Sequence, residues 1–160
     1  LDAGAASGAW VVGPRLVDAS GDEAAPKHRF PPPLAWRAGV ASGDGWRAVP
    51  WIAGAAMLFT PGHTDLRFDP RIFMYGEDEE LCWRVWRHGG RVVLAERARV
   101  VHEGGSAALT RWSTRAIARR MVWNRARFVR WHAGWRGLVR FAADLARRRV
   151  AATSARRASA

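Results

Sequence analysis

This 160-residue chain has a single cysteine, Cys82, and beyond residue 110 a single acidic side chain, Asp144. The first scarcity excludes an intramolecular disulfide and any multi-cysteine zinc site, which fits a reducing compartment. Cys82 itself falls in an apolar helical stripe and reads as a small buried hydrophobe. Long hydrophobic runs are missing too: the longest, Val49 to Phe59, is about half of the ~20 residues a helix needs to cross a bilayer, so the chain is not expected to span one. No internal repeat is visible. Leu1 opens into a glycine- and alanine-rich segment with no basic n-region, so no leader is read there, and further sequence is expected upstream.

What is present is unevenly placed. Residues 1–110 carry 12 Lys+Arg against 13 Asp+Glu, whereas residues 111–160 carry 14 Arg against Asp144, so the net charge of +12 belongs to the C-terminal third. Ten tryptophans stand out. An indole ring suits a sugar face, a base or a membrane boundary, although most tryptophans of a small protein are core. The length fits one domain with its own core, and eight prolines with sixteen glycines indicate many loops.

Along the chain, Trp10 to Pro14 reads as a short strand closed by a Gly-Pro breaker, followed by a turn at Asp18–Asp22. Pro26 to Gly45 reads as a long loop in which Pro31-Pro32-Pro33 is extended. The apolar run Ile52 to Phe59 suits a strand covered on both faces. Glu77-Asp78-Glu79-Glu80 marks a helix start, because the helix dipole favours acids in the first turn. Leu81, Cys82, Val85 and Trp86 then form one stripe, and Gly89-Gly90 ends it. Arg91–Leu94 and Arg99–His102 read as two short strands separated by a charged turn. Strands alternating with a helix predict an α/β fold over residues 1–110. Residues 111–150 read as basic amphipathic helices: Ile117, Met121 and Phe128 cluster opposite Arg115, Arg119, Arg120, Arg127 and Arg130, with breaks at Gly134 and Gly137. Residues 151–160 read as a disordered tail.

The segment from Phe68-Asp69 through Phe73-Met74-Tyr75-Gly76 to Glu77-Asp78 is an aromatic loop that delivers a carboxylate pair to the mouth of a helix. A carboxylate there can take the proton of a bound hydroxyl group before it attacks an activated carbon. The same acids also stabilise a helix N-terminus without any catalytic role.

This segment resembles the signature of family 2 glycosyltransferases, especially the rhamnosyltransferase-like branch: Phe-Asp, an aromatic Phe-x-Tyr-Gly, Glu-Asp-x-Asp-Leu and Arg. Trp51-Ile52-Ala53-Gly54-Ala55 resembles the family's Trp-x-Ser/Thr-Gly-Ala segment, and His102-Glu103-Gly104-Gly105-Ser106 its His-x-Gly-Gly-x-Ser. Val12-Gly13-Pro14-Arg15-Leu16 is similar to its Gly-Pro-Lys-Leu. The resemblance covers roughly residues 9–130 and implies the C-terminal, acceptor-side half of a GT-A fold: a mixed sheet with flanking helices, followed by the basic amphipathic helices. It implies inverting transfer of a sugar from a nucleotide-sugar donor to a lipid-linked or polysaccharide acceptor. Asp78 would be the general base and Glu77 would help hold the acceptor. Trp51, Gly54 and Ala55 would form the acceptor pocket, and His102 would ligate a divalent metal, Mn or Mg, near the donor diphosphate. Arg84 is expected to pair with Glu80 at i,i+4.

Three departures stand beside this. Ala53 replaces the family's hydroxyl residue, Glu80 replaces its second Asp, and the donor-binding Asp-x-Asp occurs nowhere in the chain. The isolated chain is therefore expected to lack a donor site and not to turn over. A non-catalytic remnant or interaction module stays open as an alternative, as does a basic nucleic-acid-binding protein. Segregation of arginines on one helical face with tryptophan at its border argues against nucleic acid. It favours an anionic membrane surface contacted through residues 111–150, at the cytoplasmic face of the plasma membrane, with packing on the catalytic domain as the other reading.

Overall fold

A computed structural model describes residues 4, 7–23, 29–34, 41–103 and 110–158. Five strands form one mixed sheet: β1 Val11–Val17, β2 Ser42–Gly43, β3 Trp46–Ala48, β4 Leu58–Phe59 and β5 Val92–Val101, in the order β2-β3-β5-β1-β4. Its spine is the parallel pair β1 and β5, in register from Val11 opposite Val92 to Val17 opposite Val101. Val11, Val92 and Val93 have no exposed surface, as expected of branched apolar residues in a strand pair covered on both faces.

Several expected boundaries move. The Gly13-Pro14 breaker does not end β1. The pairing with β4 involves only Val11 and Val12, so Pro14, which has no N–H to donate, lies where the strand has a neighbour on one side only. The two expected strands after Gly90 are one. Pro14 pairs with Ala95 and Arg15 with Arg99, so the charged Glu96-Arg97-Ala98 is absorbed as an irregularity of β5 rather than breaking it. Glu96 is held there by its amide donating to Gly45 O at 2.8 Å and by its carboxylate pairing with Arg47.

The apolar run Ile52–Phe59 is not a two-sided strand. Only Leu58 and Phe59 pair, whereas Trp51 and Ile52 are buried and Gly54 and Ala55 turn out to the surface. Close packing sets this path: a Cβ on Gly13 would lie 2.5 Å from Ile52 Cδ1. Within the described part of the long loop, Pro31–Pro33 is not extended. Leu34 N donates to Pro31 O at 2.9 Å, and the turn sends both Phe30 and Leu34 into the core.

Helix α1 spans Glu77–Arg87 and buries Leu81, Cys82 and Val85. It stops at Gly89, whose φ of 81° glycine adopts freely. Burial pushes the Cys82 thiol pKa upward, so this cysteine is inert packing, as its sequence position indicates. Helix α2 spans Thr114–Ala158 with a sharp departure at Gly134 (φ 65°, ψ −165°). Gly137 does not break it. That residue is buried within the helix, where a Cβ would sit 3.4 Å from Val129 Cγ1 and 3.5 Å from Pro33 Cγ. Nor is the end disordered through its length: alanine and arginine, both good helix formers, carry the helix through Ala158.

Phe128 and Val129 of α2 have no exposed surface and join Phe30, Trp51, Cys82 and Val92 in one core. The division expected at residue 110 is therefore not a packing boundary. The docked face runs through Asn124, Phe128 and Val129, while Ile117 and Met121 of the expected stripe are only half-buried. Among the described residues no helix is long and apolar enough to cross a membrane.

Candidate active site

The site is built around the start of α1. Upstream, Asp69 Oδ1 accepts the Arg71 amide at 2.9 Å and its carboxylate pairs with the Arg71 guanidinium, which holds its pKa down at about 2. Ile72, 3% exposed, pins this turn to the core. The next residues are forced into the left-handed region: φ is 55° at Met74, 69° at Tyr75 and 102° at Gly76. Only the glycine adopts this without cost; the two side-chain-bearing residues are strained by about 1–2 kcal/mol each.

Helix α2 holds them there. Asn124 Nδ2 donates to Met74 O at 2.8 Å and Tyr75 O at 2.9 Å, and Arg120 donates to Phe73 O at 3.0 Å.

The four acids that follow are not equivalent. Glu80, buried, accepts Arg84 Nε at 2.8 and 2.9 Å and lies 3.2 Å from His132 Nε2. Glu79, also buried, is gripped by Arg125, whose Nε lies 3.0 and 3.1 Å from its two oxygens. Both are thereby matched by cations. Asp78 is half-buried and, among the described residues, held by backbone amides: Gly54 N donates to Oδ2 at 3.1 Å and Glu79 N to Oδ1 at 2.8 Å. Its burial pushes the carboxyl pKa up, opposed by these amides and by the nearby Arg125. Glu77 is also pushed up, by burial and then by the neighbouring charges of Asp78 and Glu79, and its Oε2 is buried with no hydrogen-bond partner among the described residues. The result is a carboxylate pair of raised basicity with no cation clamped to it among the described residues, the condition a general base requires.

Of the residues singled out in the sequence, Glu77, Asp78 and Gly54 come together, with Ala55 exposed beside them. Trp51 does not join them. It is 4% exposed, its ring lies in the core and its Nε1 donates to Arg29 O at 3.3 Å, so it presents no face to a sugar. The ring beside Asp78 is that of Phe68, 42% exposed: a methyl on Gly54 would lie 3.6 Å from both Phe68 Cζ and Asp78 Cβ.

His102 directly follows β5, its amide donating to Val17 O at 2.8 Å. Residues 104–106 of its motif lie outside the described residues, among which no group of three His, Cys, Asp or Glu side chains assembles around a metal. One imidazole is a donor, not a site. A metal bound there would draw its other ligands from elsewhere.

Asn124, Arg125 and His132 were not singled out in the sequence. The available signal was charge: an arginine-rich segment with one acid complements an unbroken run of four acids. The partner of Glu80, Arg84, follows from i,i+4 spacing, whereas the pairing of Glu79 with Arg125 was not encoded in any local spacing. Comparison of the chain with family models, with curated proteins and with solved structures finds no match. Fold and site together define an α/β domain that, among the described residues, has a five-stranded mixed sheet and the helices α1 and α2, presenting a carboxylate pair at a helix mouth.

Proposed function

We propose that this chain is the acceptor-side part of an inverting GT-A glycosyltransferase that moves a sugar from a nucleotide-sugar donor to a hydroxyl of a lipid-linked or polysaccharide acceptor. The observation that carries this reading is the hydrogen bond from Gly54 N to Asp78 Oδ2. It joins two segments that resemble the same family and holds Asp78 by a backbone amide.

In this reading Asp78 accepts the proton of the acceptor hydroxyl as its oxygen bonds to the anomeric carbon from the face opposite the leaving group. The bond from that carbon to the diphosphate oxygen breaks, its electron pair leaves with the nucleoside diphosphate, and the configuration inverts. Glu77 helps hold the acceptor, and the exposed Phe68 ring offers the apolar C–H face of a sugar a partner. A divalent metal, if bound, would neutralise charge on the departing diphosphate, with His102 as one ligand. Exposed Trp123, Trp135, Val139 and Val150 among the arginines of α2 support a peripheral position on an anionic membrane at its cytoplasmic face.

The test is sugar transfer by the longest open reading frame containing this chain, comparing wild type with Asp78→Asn. Transfer should fall by about 100-fold or more with donor affinity unchanged. Normal turnover by the variant would remove Asp78 as base.

A further inference from the structure

A concave region of about 820 Å³ opens between the first arm of α2 and the turn at residues 71–73. Five arginines line it, Arg71, Arg119, Arg120, Arg127 and Arg149, and no carboxylate does. Arg71 is paired with Asp69, whereas Arg119, Arg120 and Arg127 have no carboxylate partner among the described residues, and gathering such charges is unfavourable until a polyanion arrives.

The guanidinium groups are also braced. Arg120 stacks 4.6 Å from the centre of the Trp112 ring, and Arg71 and Arg127 lie over Trp131 at 4.1 and 5.1 Å. Stacking holds a guanidinium by its faces with side-chain entropy already reduced. Arg71 spends Nε and one Nη on Asp69 and Arg120 one Nη on Phe73 O, which leaves the remaining N–H groups of Arg120 and those of Arg127 for phosphate oxygens. The volume suits one compact ligand, not a track along an extended polymer. Phe73 and Asn124 line the same region, so it adjoins the loop that positions Glu77 and Asp78.

We propose that this region is a binding site for a diphosphate group, carried by either a nucleotide or a lipid. The site does not depend on Asp78 acting as a base.

The experiment is calorimetric titration of the whole chain with inorganic pyrophosphate, geranyl diphosphate and uridine diphosphate at physiological ionic strength. Wild type should bind pyrophosphate, and R119Q, at an exposed position, should bind about tenfold more weakly, with R119Q/R127Q weaker still. R136Q/R140Q, which removes two exposed arginines outside the site, should change affinity less than about twofold. Circular dichroism checks that each variant is folded. Tighter binding of the geranyl or the uridine compound assigns the diphosphate to lipid or nucleotide. Absence of pyrophosphate binding, equal losses in the two double variants, or tighter binding of a single-stranded oligonucleotide than of any diphosphate would overturn the proposal. Asp78→Asn should leave pyrophosphate binding intact, so failure of the base and failure of this site are distinguishable.

Discussion

A single carboxamide, that of Asn124, donates to two consecutive carbonyl oxygens, Met74 O at 2.8 Å and Tyr75 O at 2.9 Å, 50 and 49 residues away in sequence. The two residues it holds are both left-handed, and the third, Gly76, is the cap of α1. A helix that could have been an appendage thus sets the direction in which the carboxylate pair emerges.

Replacing Asn124 with alanine removes both donors. The expected cost is about 1–2 kcal/mol of stability, from two lost hydrogen bonds partly offset by the better helix propensity of alanine. Transfer activity should fall more than stability, because the loop can relax toward ordinary φ values and swing Asp78 away from Gly54. Thermal denaturation and turnover measured on the same variant check this. Activity at the wild-type level would show that the loop keeps its shape without Asn124.

Burial raises the pKa of Asp78 above its ordinary 3.8, and a base works only when ionised. The acid limb of the pH profile of kcat/KM should therefore lie above the ordinary aspartate range. For stability the sign is the same: a carboxyl group whose folded pKa is raised binds its proton more tightly folded than unfolded. Its stabilising contribution is full below 3.8 and is lost as pH rises through the folded value. An acid limb at or below the ordinary value would contradict the buried environment of Asp78.

Glu79 is 3% exposed and its cation comes from Arg125, 46 residues away. Arg125→Met should destabilise by about 3 kcal/mol, since it strands a buried carboxylate. The pKa of Glu79 is already raised by burial, and Arg125 is what holds it down, so the deficit should be larger at neutral pH than in mild acid, where Glu79 can protonate. Adding Glu79→Gln should recover much of the loss. Chemical denaturation of the two variants at both pH values measures it, and a deficit independent of pH would show that Glu79 is not the group responsible.

Much of α1 was legible in the sequence. Four acids in the first turn, one apolar stripe and Gly89 locate its ends, and the i,i+4 pair of Glu80 with Arg84 forms as its spacing indicates, at 2.8 Å. Strands β1 and β5 were found but cut short, because a Gly-Pro step and a charged stretch end a strand only where the neighbouring pairing requires continuity. The buried face of α2 was found in part: Phe128 of the expected cluster is buried, whereas Ile117 and Met121 are only half-buried and Asn124 was missed. Wheel geometry sorts residues by polarity, whereas Asn124 is buried because its partners are carbonyls of a distant loop.

Sequence alone determined that four carboxylates would stand at one helix mouth beside an aromatic loop, because that depends on neighbours within a few residues and on the helix dipole. Only the tertiary structure decided which of them stay unclamped. Arg125 reaches Glu79 across 46 residues, while Gly54 meets Asp78 from 24 residues upstream. Charge neutralisation acts over a few ångströms of space, and separations of that kind along the chain carry no trace of it.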